Sequence, residues 1–198
     1  MIRLNATERR QKIVKAAIAL FSARGFRGTT TAGLARAAGI SEALLFRHFP
    51  DKKSLYRAML SACMEDRLPP LLQNLPSGGQ PRTVLLKLAH RVVEHNEQDP
   101  TFMRLLLFSA LEGHALSDLF FQRRTLPVRD FLKNYFRDQM RRGVLRKTDP
   151  GLAAQAFLAM IFGTVQTRVL YKIPRALQQP LDKTLESYVK IFLQGMER

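Results

Sequence analysis

Apolar residues recur at helical spacing along most of the chain. Ile13, Val14, Ala17, Leu20 and Phe21 form the stripe of a buried helix face, on a helix that Thr7 is expected to cap and that runs to Arg24. Gly25 stops it, and Phe26 can fold back on the last turn. A second, shorter stripe of Leu34, Ala35 and Ala38 lies between Thr30, an N-cap residue, and Gly39, a helix stop. Ile40 can plug the corner that follows. Ser41 then caps a third helix expected over residues 42–47, with Leu45 and Phe49 facing inward. Asp51, behind the breaker Pro50, opens a fourth helix whose stripe is Leu55, Ala58, Met59 and Ala62. Pro69-Pro70 and the segment Pro76 to Pro81 break the chain.

The same periodicity continues beyond the breaks. It predicts helices over residues 83–97, from Asp99-Pro100 to Gly113, from Ser117 to about Arg142, from Asp149-Pro150 to about Lys172, and over residues 181–194. Pro127 is expected to kink the third of these, because it removes a backbone donor and clashes one turn back. No strand-like alternation and no internal repeat is present. The fold expected is all-α: a three-helix head over residues 7–60, joined through its linking helix to a helical bundle over residues 61–198.

Residues 30–49 combine two short capped helices across a Gly-containing turn. This is the helix-turn-helix pattern, whose second helix is narrow enough to enter the major groove of DNA. Charge sharpens the reading. The chain has 32 Lys and Arg against 16 Asp and Glu, and residues 1–57 hold 12 of the former and only 3 of the latter. The positive density therefore concentrates where a polyanion would be read.

Candidate contacts follow from side-chain chemistry. The Thr30 hydroxyl and nearby N–H groups make a phosphate site at a helix N-terminus, Ser41 marks the next such terminus, and Lys52 can reach a phosphate. Arg47 can bond guanine O6 and N7 in a fork, Ala43 or Leu44 can touch a thymine methyl, and Glu42 can accept from cytosine N4 or serve the helix dipole. Arg3, Arg9 and Arg10 belong to an arm and first turn that can follow phosphates or a minor groove.

Residues 9–60 resemble the DNA-binding domain of the TetR family of transcriptional regulators. The residues that carry the likeness are Ile13 and Ala17, Leu20-Phe21, Gly25-Phe26, Thr29-Thr30, Leu34-Ala35, Ala38 to Ser41, Leu45 to Phe49, and Lys52 with Leu55. The resemblance implies a cytoplasmic regulator, most often a repressor. It implies a double-stranded DNA operator of pseudo-palindromic sequence, a small-molecule effector held in the bundle, and a homodimer built from the last two helices. It also implies a phosphate contact for His48. Two departures stand out. Phe46 occupies a place where many relatives have Tyr, so it cannot make a hydroxyl contact to phosphate. Glu42 and Leu44 stand where small or basic residues are common.

Other function classes find little support. His48, His90, His95 and His114 lack metal-ligand spacing with carboxylates or Cys, and no Gly-rich phosphate loop or nucleophile elbow occurs, so no metal, cofactor or catalytic group is expected. Cys63 is alone, which excludes an internal disulfide and fits a reducing compartment. No signal peptide is expected at the N-terminus, and no membrane span, for want of about 18 consecutive uncharged apolar residues. Phe102, Met103, Phe108, Phe120, Phe131, Tyr135 and Phe157 are candidates to line an effector cavity, though ordinary core packing is the simpler reading of each. Two alternatives stay open: a basic helical nucleic-acid-binding protein without ligand control, and a helical enzyme or lipid carrier at an anionic membrane surface.

Overall fold

The structure, a computed structural model, describes residues 5–65, 69–76, 79–113, 122, 125–171 and 173–196. Its elements are α1 (Ala6–Arg24), α2 (Thr31–Ala38), α3 (Glu42–His48), α4 (Lys52–Glu65), α5 (Pro69–Leu72), α6 (Pro81–Gln98), α7 (Thr101–Leu111), α8 (Leu126–Arg141), α9 (Pro150–Val165) and α10 (Leu181–Gln194). Among the described residues there is no strand. Two compact units result: Met1–Arg67 with Thr101–Phe121, and Leu68–Pro100 with Gln122–Arg198.

The first unit is the head, with α7 added to it. The cap of α1 is Asn5 rather than the expected Thr7. The reason is Glu8, three residues after Asn5: the Asn5 side chain accepts from the Glu8 N–H at 2.9 Å, and the Glu8 carboxylate accepts from the Asn5 N–H at 2.8 Å. The expected inward residues of α1 to α4 share one core, and α7 contributes Leu105 to it. Tyr56 sits at its centre, edge-on to Phe21 at 4.9 Å and to Phe26 at 5.2 Å between ring centroids. Burial raises its phenol pKa.

In the second unit α8 packs on α9, and α6 packs on both α9 and α10. Phe136, Phe157 and Phe192 close the centre, with Phe192 at 5.5 Å from Phe136 and 5.2 Å from Phe157. Pro127 stands in the first turn of α8, and most of the segment from Ser117 that it is expected to kink lies outside the described residues. Ser117, Phe120 and Phe121 lie outside the described residues. Asp149 caps α9, which begins at Pro150, its carboxylate accepting from the Gly151 and Leu152 N–H groups at 2.6 and 2.8 Å. These bonds hold its pKa below the usual carboxylate value.

A π-helical turn, Gln166–Leu170, continues α9 and is tied to α6 by Arg168 and Glu97 at 2.5 Å. Together Pro150–Leu170 is one helix long and apolar enough, by length and composition, to cross a membrane. That corrects the expectation that no such stretch exists. The physical reason lies in its setting: α9 is packed by α6 and α8, so apolar residues surround more than one face.

Tyr135 buries its ring and donates its hydroxyl to the Gly79 carbonyl at 2.6 Å. Burial pushes its pKa up to about 12. An acid whose folded pKa is raised contributes stability that is complete below the unfolded value, about 10 for Tyr, and is lost as pH rises toward 12. Denaturation midpoints measured across that window are expected to fall, and Tyr135→Phe should flatten the decline while lowering stability at neutral pH. An unchanged alkaline slope in the variant would remove Tyr135 as the source.

Candidate nucleic-acid interface

The two helices of residues 30–49 are built from their caps. Thr30 Oγ1 accepts from the Gly33 N–H at 3.1 Å, and Ser41 Oγ accepts from the Leu44 N–H at 3.2 Å. Gly39, at φ 68° and ψ 40°, takes the left-handed conformation that turns the chain between them. Leu45 and Phe49 point inward, both 2% exposed. The opposite face of α3 is therefore open: Glu42, Ala43 and Arg47 are exposed, and Leu44 and His48 are half-buried. Phe46 also stays out, 45% exposed on the same short helix. An aromatic ring so placed offers van der Waals contact where a tyrosine would offer a hydroxyl.

The structure thus brings Ser41, Glu42, Ala43, Leu44, Arg47 and His48 together on one helix and its cap, with Thr30 at the start of the helix before it. Arg10 of α1 stacks its guanidinium 4.6 Å from the Phe49 ring centroid. Arg3 lies outside the described residues.

Lys52 is different from expectation. Its ammonium donates to the Phe26 and Thr29 carbonyls, each at 3.0 Å, and stands 4.2 Å from the Phe26 ring centroid. Two of its three protons are engaged by the loop between α1 and α2, because that loop brings two carbonyls to the start of α4. Its position serves the head first and a phosphate at most second.

That loop holds further polar contacts. Thr29 Oγ1 donates to the Gly25 carbonyl at 2.7 Å. The Glu112 carboxylate, just past α7, accepts from the Phe26 N–H at 2.9 Å and the Arg27 N–H at 3.0 Å. Reading the sequence missed Glu112 entirely. Its partner groups are backbone, some 85 residues away, and carry no side-chain signature.

The candidate effector residues are not gathered into one compact unit. Phe102, Met103 and Phe108 belong to the first, and Phe131, Tyr135 and Phe157 to the second. Phe120 is outside the described residues. Phe157 is fully buried in contact with Phe192, which is core packing. Among the described residues no three His, Cys, Asp or Glu side chains come together as a metal site. His90 instead stands 3.5 Å from Glu94 and 3.7 Å from Asp182, between α6 and α10.

Comparison with known proteins decides the family. Residues 13–59 match the family described as bacterial regulatory proteins, tetR family, and residues 83–195 match the AefR-like transcriptional repressor C-terminal domain. The chain belongs to the TetR family. It is a DNA-binding transcriptional regulator with a helix-turn-helix head and a helical C-terminal domain. Among its TetR-family relatives, the uncharacterised HTH-type regulator YvkB of Bacillus subtilis is 28% identical over 188 residues, 94% of this chain and 96% of its own. The nucleoid occlusion factor SlmA of Marinobacter nauticus is 29% identical over 163 residues, 80% of this chain and 82% of its own. A TetR-family regulator from Mesorhizobium loti has a similar structure, with a TM-score of 0.71 at 19% identity over 99% of this chain and 100% of its own. AibR, solved with isovaleryl coenzyme A and operator DNA, has a TM-score of 0.67 at 21% identity, covering 94% of this chain and 98% of its own. These structural likenesses establish the TetR fold and nothing finer.

Proposed function

We propose that this TetR-family regulator is a cytoplasmic repressor that binds a pseudo-palindromic operator as a homodimer and leaves it when a small apolar or aromatic molecule binds. The observation that carries the DNA contact is the open face of α3, set on a core by Leu45 and Phe49. In this reading Arg47 reads a guanine edge, and Ala43, Leu44 and Phe46 make apolar contacts with thymine methyl or sugar. Glu42 accepts from a cytosine amine. Thr30, Ser41 and His48 meet phosphates, and these fix the register. Lys52 acts through the loop it holds, with its remaining proton free for a phosphate.

The dimer reading is supported by α9 and α10. Both carry large apolar side chains that the monomer leaves out, Leu152 at 66% and Ile191 at 61% exposure. Two copies related by a twofold axis would pair these helices into a four-helix interface. The heads would then meet half-sites about 34–36 Å apart, one turn of duplex. The effector reading is supported by the acyl-CoA bound to AibR and by FrrA, described as flavonoid-responsive, both structural neighbours.

The test begins with selection of bound duplexes from a random pool, which should return an inverted repeat. Arg47→Ala should then lose about 1–3 kcal/mol of discrimination at one symmetric base pair while keeping affinity for other changes. An even loss across all sequences would make Arg47 a phosphate ligand only.

A second reading, DNA binding in the service of nucleoid occlusion, is favoured by the likeness to SlmA over most of both chains. Genome-wide occupancy separates the two. A few sites beside promoters support the repressor, and many dispersed sites support the second reading.

A further inference from the structure

We infer that Glu112 and Arg104 are positioning residues for DNA recognition, so that the reading head is completed by a helix from the C-terminal half of the chain. The inference rests on the DNA-binding reading above and deepens it.

The face of α7 turned to the head is a helical stripe. Leu105 is fully buried in the head's core, Ser109 is 1% exposed, and Phe108 abuts Gly25. Arg104 and Glu112 lie at the two ends of this stripe, two turns apart, and bear opposite charges. Each meets the backbone group that suits it. The last carbonyls of α1 have no partner within the helix. Arg104 donates to two of them, Nε to the Ser22 carbonyl at 2.7 Å and a terminal nitrogen to the Ala23 carbonyl at 3.4 Å. Beyond Gly25 the chain turns, and the Phe26 and Arg27 N–H groups point to one side. A carboxylate is the natural partner for such a pair, and Glu112 supplies both its oxygens.

The loop held this way leads directly into the helix-turn-helix. Thr29, 2% exposed, follows the clamped residues, and Thr30 caps α2. With Lys52 taking the Phe26 and Thr29 carbonyls, the entry to α2 is fixed from two sides. The position of α2 in turn sets that of α3, which packs on it. The clamp therefore determines how α3 is presented to DNA without itself touching DNA.

The sign of one substitution separates this from simple electrostatics. Glu112→Gln removes a negative charge from a DNA-binding unit, which by charge alone strengthens binding to any duplex. A glutamine cannot replace the carboxylate, because its amide would set an N–H against an N–H. The clamp predicts that Glu112→Gln lowers affinity for the selected operator about tenfold, while binding to random duplex holds or rises. Arg104→Met, which keeps the stem and loses the donors, should move the ratio of specific to non-specific affinity the same way. Unchanged or rising operator affinity in folded Glu112→Gln overturns the inference, as does a purely structural outcome, a lower melting temperature with an unaltered ratio. Hydrogen exchange on the unmodified chain needs no variant. The Phe26 and Arg27 amides should exchange far more slowly than the exposed loop amide of Gly28, and equal rates overturn the clamp. A wild-type chain that prefers no duplex sequence would instead overturn the regulator reading, leaving the exchange result to decide the clamp.

Discussion

Gly25→Ala is expected to destabilise the head by about 2–6 kcal/mol and to abolish operator binding at temperatures where the wild type is folded. Two effects add. Gly25 has φ 71° and ψ −179°, a region that only glycine occupies at low cost. A Cβ built there would also stand 2.6 Å from a Glu112 carboxylate oxygen and 2.7 Å from a Phe108 ring carbon. Neither neighbour can yield easily, since Glu112 holds two N–H groups and Phe108 belongs to the α7 face packed on the head. Gly143→Ala is the comparison. Gly143 also has a positive φ, 75°, but no atom lies within 4 Å of the added Cβ. It should lose only the conformational part, about 1 kcal/mol. Urea denaturation of the two variants separates strain from collision, and equal losses would show that the close approach of α7 to Gly25 contributes nothing.

The second large effect is expected from salt. A dimer whose two heads make roughly six to ten phosphate contacts should lose about 10³–10⁵ in operator affinity between 50 and 200 mM salt. The concentration of charge in residues 1–57, 12 basic against 3 acidic, is the basis for this expectation. The slope of log affinity against log salt counts the phosphates. Arg47→Ala should leave that slope nearly unchanged if Arg47 reads a base edge, because base contacts release few counterions. A slope near zero in the wild type would contradict binding through the charged head. Lys52→Ala carries its own contrast. With its ammonium engaged by the Phe26 and Thr29 carbonyls, it should cost stability more than it changes the slope.

The helical order of this chain was legible because helix signals are local. The inward placement of Leu45 and Phe49, the caps at Thr30, Ser41 and Asp149, and the span Leu181–Gln194 all follow from spacing and capping chemistry within a few residues. A misreading came where two local signals competed: Thr7 and Asn5 are both good caps, and Glu8 decided between them. The open face of α3 was likewise legible, since Leu45 and Phe49, four residues apart, fall on one side and leave the other side of so short a helix outward.

What spacing and capping determined on their own is the helix content, the helix-turn-helix and the outward set from Glu42 to His48. These are near-neighbour properties that the covalent order already contains. The tertiary structure alone decided where Lys52, Arg104 and Glu112 act. Their partners are backbone carbonyls and N–H groups, which every residue possesses and which no residue type announces. It also decided that α7 packs with the head, since its apolar stripe would suit any core until Gly25 left room for it.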